Sequence, residues 1–127
     1  GRAHPFKALI AHAATYNSFT QIGADYGAEK DRFFEFWDKP AEFAKYSPHT
    51  YAGNFVTPTL VIHGQADLRV PVNHGIELYQ TLQRKGIPSK LIYFPNENHW
   101  ILKPQNSLWY YGQVIDWIGR YAPAGAR

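Results

Sequence analysis

The chain contains no cysteine and no methionine. Without cysteine, disulfides and thiolate metal sites are excluded, and the redox compartment is left open. No apolar run approaches the roughly 18 residues needed to span a bilayer. No charged start followed by an apolar core marks a signal peptide, but the chain opens at Gly1 rather than Met, so that absence carries no weight. No internal repeat is visible. Lys and Arg are scattered around a net charge of +3, with no basic run of the kind that holds nucleic acid. Six histidines accompany Asp67 and Glu97, yet none falls in a His-x-x-x-His or His-Glu-x-x-His spacing, which argues against a metal site.

What the chain does have is apolar and aromatic. Hydrophobic residues make up 45% of its 127 positions, with nine Tyr, eight Phe and four Trp, so it reads as one globular domain or part of one. Phe6–Ala13 reads as a buried strand. The stretch from about Ala14 to Thr57 is interrupted and aromatic, which suits short helices with long connections. Asp31 is placed to cap a helix over Arg32–Trp37, where Phe33, Phe34, Phe36 and Trp37 would pack on the body, and Pro40 restarts the chain into Ala41–Tyr46. Thr59–His63 and Lys90–Phe94 are further strands. Between them, a helix of roughly Val72 to Lys85 carries Val72, Ile76, Tyr79 and Leu82 on one face, with Gly86 as its stop. After Pro104, Leu108, Tyr111, Ile115 and Ile118 recur at helical spacing to about Tyr121, and Ala122–Arg127 reads as a flexible tail.

This strand–helix rhythm predicts an α/β fold with parallel strands flanked by helices. Three strands are few for such a sheet, and the first lies at the chain's start, so the expectation is a fragment of a larger domain.

Two loops carry the chemistry. His63-Gly64-Gln65-Ala66-Asp67 follows one strand, and Glu97-Asn98-His99-Trp100 follows the next. Both fall at the carboxyl-terminal edge of the sheet, where open α/β sheets build their sites. A triad acid is held in a turn where its carboxylate accepts the Nδ1–H of a histidine, and Asp67 suits that role. The plainer role is to organise its own loop through nearby amides. His99, in a polar surface loop flanked by Phe94 and Trp100, suits a general base; the plainer reading is a surface histidine. His63 and His12 interrupt apolar strands and read as packed residues bonded through one nitrogen. Tyr16, Asn17 and Phe19, with Val70, are placed to wall a substrate pocket or to pack beneath a loop. The order Asp then His is that of α/β-hydrolases. The serines Ser18, Ser47, Ser89 and Ser107 all lie outside any Gly-x-Ser-x-Gly elbow.

Pro58–Pro71 resembles the acid loop of the prolyl oligopeptidase family of serine peptidases, and Tyr93–Trp100 resembles its histidine loop. His12–Asn17 is similar to the segment after its nucleophile-bearing unit. The likeness is closest to the dipeptidyl-peptidase and acylaminoacyl-peptidase branches. Leu82–Ser89 and Leu102–Ser107 look like the fifth type of dipeptidyl peptidase. The resemblance implies the C-terminal part of an α/β-hydrolase catalytic domain, spanning residues 1–121, that cleaves short peptides without metal or cofactor. Asp67 would be the triad acid and His99 the general base. The elbow serine, the oxyanion-hole donors and the earlier strands of the family's pattern are absent from this sequence. The serine would then come from upstream sequence or a complementing chain, and the isolated chain is expected to be inactive. Other readings are an esterase or lipase of the same fold, or a non-catalytic interaction module whose open sheet edge pairs with a partner or a second copy.

Overall fold

A computed structural model describes residues 4–25 and 35–125. Asp31, Arg32, Phe33 and Phe34 lie outside the described residues, as does the end of the tail. Residues 36–38 form a turn.

Among the described residues, three parallel strands make the sheet: β1 (Leu9–His12), β2 (Thr59–Gly64) and β3 (Ser89–Phe94), in that order. The register pairs His12 with Ile62, His63 with Tyr93 and Gly64 with Phe94, so all three strands point their carboxyl ends at one edge. β2 is buried throughout and β1 only partly. β1 is shorter than the apolar run suggests. Phe6 is exposed, and Ala13 turns out of the strand at φ 46°, a left-handed conformation that costs an alanine on the order of 1 kcal/mol. Between β1 and β2 the chain forms the short α1 (Ser18–Gln21) and α2 (Pro40–Ala44, with proline in its first turn), then a 3-10 turn over Pro48–Asn54.

Side chains alternate across the sheet and sort into two cores. Leu60, Ile62, Ile92 and Phe94 pack with Ile101 and Trp117 beneath α4 (Pro104–Tyr121). Val61 packs on the other face with Leu78 and Leu82 of α3 (Asn73–Arg84), together with Ile87 and Tyr16. The result is a helix–sheet–helix sandwich. Gly86 ends α3 in the left-handed conformation (φ 67°) that glycine adopts without steric cost.

Two helix faces differ from the periodicity reading. On α3 the buried residues are His74, Gly75, Leu78 and Leu82, while Ile76 is exposed. On α4 the inward face is Tyr110, Val114, Trp117 and Tyr121. Leu108, Tyr111, Ile115 and Ile118 point outward, 79, 61, 67 and 44% exposed. α4 carries two apolar stripes about 100° apart, and the larger aromatic rings occupy the face that meets the sheet.

Candidate functional site

The site begins with a glycine at the end of β2. A Cβ on Gly64 would collide with the carbonyl oxygen of Asn98 and lie 2.6 Å from that of Glu97. Its bare Cα therefore allows the loop after β3 to press against the end of β2. Gln65 N–H then donates to Phe94 O, and Ala66 N–H to Glu97 O, each at 2.9 Å. The two loops that follow adjacent strands are thus stitched together through their backbones.

Within this frame Asp67 is buried, and both of its oxygens are engaged. Oδ1 accepts the amides of Arg69 (2.9 Å) and Val70 (2.8 Å), which shapes the turn. Oδ2 lies 2.9 Å from Nδ1 of His99. One oxygen thus organises the loop, and the other meets the histidine. The His99 side chain is 26% exposed, with Trp100 set edge-on against it at 5.4 Å. The Arg69 guanidinium lies over that Trp100 ring at 5.2 Å. With Nδ1 turned to the carboxylate, Nε2 is the nitrogen available for proton exchange. An imidazole held this way can accept a proton at Nε2 while the carboxylate stabilises the cation.

Glu97 is only 5% exposed, contrary to the surface position expected of its polar loop. Its carboxylate accepts Leu102 N–H and Lys103 N–H at 3.1 Å each, together with the Asn106 side-chain amide at 2.6 Å, and so anchors the turn into α4. Burial pushes this carboxyl up. The Asn106 hydrogen bond, the two amides and the Lys103 charge outweigh it and hold Glu97 below the usual glutamate range. A carboxyl depressed on folding contributes stability above its unfolded value that is lost as pH falls through its folded value. The thermal midpoint is therefore expected to drop as pH falls below about 4, and less steeply for Glu97→Gln. Melting curves across that range check it; equal slopes would remove Glu97 from the account.

The remaining site candidates separate. Tyr16 lines a cavity of about 790 Å³ beside β1 with Ile10, Ala14, Phe55 and Leu78. Asn17 caps α1 through its Oδ1. Phe19 packs edge-on against Phe43 and Phe36. Val70 is buried in the Asp67 turn. His12 bonds Tyr110 Oη through Nδ1 (3.2 Å); burial first, then the nearby His99 and His63, hold it below the ordinary imidazole value. Each serine hydroxyl engages a partner other than His99: Tyr46 O for Ser18, His49 for Ser47, Gln83 for Ser89 and Ile101 O for Ser107. Among the described residues, no three His, Asp or Glu side chains converge to hold a metal ion.

The sequence reading overlooked His74. Its buried Nδ1 accepts the amides of both Tyr16 (3.0 Å) and Asn17 (3.1 Å), fastening the chain after β1 to the start of α3. Burial lowers its pKa, in keeping with that acceptor role.

A family model described as the prolyl oligopeptidase family matches residues 1–124. The chain belongs to that family. It is 38% identical over 121 residues to a probable dipeptidyl-peptidase 5 of Aspergillus clavatus. It is 41% identical over 130 residues to dipeptidyl-peptidase 5 of Trichophyton schoenleinii. Each alignment covers 92% of this chain and 17% of the relative, so the chain spans less than a fifth of those proteins. Among solved structures, the acylaminoacyl peptidase of Pyrococcus horikoshii superposes with a TM-score of 0.86 at 22% identity. That match covers 99% of this chain and 22% of the other. It shows the α/β-hydrolase fold that the resemblance implies, within the parallel α/β class that the strand–helix rhythm predicts.

Proposed function

We propose that this chain is the C-terminal part of the catalytic domain of a serine peptidase acting on short peptides, of dipeptidyl or acylaminoacyl type. In this reading Asp67 is the triad acid and His99 the base, and the nucleophilic serine lies on polypeptide outside residues 1–127. The observation that carries it is the 2.9 Å contact of His99 Nδ1 with the buried Asp67 carboxylate, at the loop edge of a sheet belonging to a peptidase family.

The chemistry follows from that contact. His99 Nε2 takes the serine proton as the hydroxyl attacks the scissile carbonyl, then returns it to the departing amine. Water enters by the same exchange and releases the acyl group. Asp67 stays ionised throughout and stabilises the imidazolium. The edge of β1 that is unpaired among the described residues and the apolar cavity beside it, lined by Ile10, Phe55 and Leu78, fit a position where the upstream part of the hydrolase domain packs. Without that part no acyl-enzyme can form. This chain alone is therefore expected to take up no fluorophosphonate; measurable labelling of residues 1–127 by themselves would overturn the assignment.

A further inference from the structure

One buried group beside the site has no part in the proton transfers. His63 is fully buried on the α3 side of β2, and its Nε2 lies 2.7 Å from Val70 O. A carbonyl only accepts, so Nε2 carries a proton and donates it to Val70 O. The same Nε2 faces Asp67 Oδ2 at 3.4 Å, the oxygen that meets His99. The other nitrogen, Nδ1, is buried without a hydrogen-bond partner among the described residues. A Cβ on Gly75 would fall 2.6 Å from that atom, so the absence of a side chain in α3 sets how deep the ring sits.

We infer that His63 is a positioning residue for the Asp67–His99 pair, an inference that rests on the catalytic reading above. The ring grips residue 70 by its carbonyl, and the amide of that residue grips Asp67 Oδ1. The same nitrogen also lies within 3.4 Å of Oδ2, close enough to limit where that oxygen can move. The carboxylate is thus constrained at both oxygens and cannot rotate to offer His99 a poorly aligned lone pair. Catalytic groups lose rate steeply when their supports loosen, by up to about 100-fold for a misplacement near 1 Å. Gly75 belongs to the same device, since it sets the seat of the ring.

The test compares His63→Leu, which removes the donor, with His63→Gln, whose amide nitrogen is as many bonds from the backbone as Nε2. In the full-length gene product, leucine is expected to lower kcat roughly 10- to 100-fold with KM unchanged, and glutamine to restore it to within about threefold. Independently of turnover, the hydrogen-bonded Nδ1 proton of His99 is expected to be visible by NMR in the parent and in His63→Gln. It should be lost to exchange in His63→Leu. Should leucine prevent folding, Gly75→Ala displaces the same ring without touching β2 and is expected to weaken the same proton signal. A leucine variant with parental kcat and an intact signal, or a folded glutamine variant as impaired as leucine, would overturn the inference. A gene product without peptidase turnover contradicts the catalytic reading instead, and the proton signal then still decides whether His63 positions the pair.

Discussion

Replacing His99 by alanine is expected to reduce turnover of dipeptidyl or acylaminoacyl substrates by the full-length gene product by about 10⁶-fold in kcat, leaving only background. The size follows from the two roles the proposed mechanism gives this ring, removal of the serine proton and then protonation of the leaving amine. KM should change little, because truncating a base removes transition-state interactions rather than ground-state ones. The fold should survive. Asp67 keeps both amides on Oδ1, the ring is 26% exposed, and its loss admits water to Oδ2. Melting and stopped-flow turnover on the same preparation check both halves. Near-normal turnover would dismiss His99 as the base.

Asp67→Asn carries the second largest effect, and the geometry dictates its form. The two backbone amides on Oδ1 require an acceptor there, so the asparagine oxygen takes that position and its NH₂ turns toward His99. The NH₂ can only donate, so Nδ1 must become the acceptor and the imidazole proton moves to Nε2. That tautomer cannot accept a proton from serine. A kcat lower by about 10⁴-fold is expected with the turn intact, and ¹⁵N NMR of the His99 ring reads the proton's position directly. An asparagine variant that keeps parental activity, with the proton still on Nδ1, would show that the carboxylate does not set the tautomer. Asp67→Ala is a poorer probe, because it also releases the Arg69 and Val70 amides and collapses the turn.

The parts of this molecule legible in sequence were those fixed by local pattern. The β2 and β3 runs, the helix between them and its Gly86 stop follow from alternation, propensity and end signals. The Asp67 and His99 loops follow because parallel strands place their exits on one edge. The parts that escaped depend on distant contacts. Two apolar stripes run along α4, and periodicity cannot say that Tyr110 and Trp117 meet the sheet while Leu108 and Ile115 do not. Gly64 looks like a turn residue until the backbone at Glu97 and Asn98 is seen against it. Glu97 reads as a loop carboxylate because its partners at 102, 103 and 106 converge only after α4 has docked. On α3 the buried His74 and Gly75 displace the apolar face because one bonds amides 57 and 58 residues away and the other seats a histidine ring.

The measurement that bears most directly on the central claim is fluorophosphonate labelling of the full-length gene product, followed by peptide mapping of the modified residue. The account predicts a single labelled serine outside residues 1–127, with labelling abolished by His99→Ala. Label on Ser18, Ser47, Ser89 or Ser107, or label that persists undiminished without His99, would contradict it.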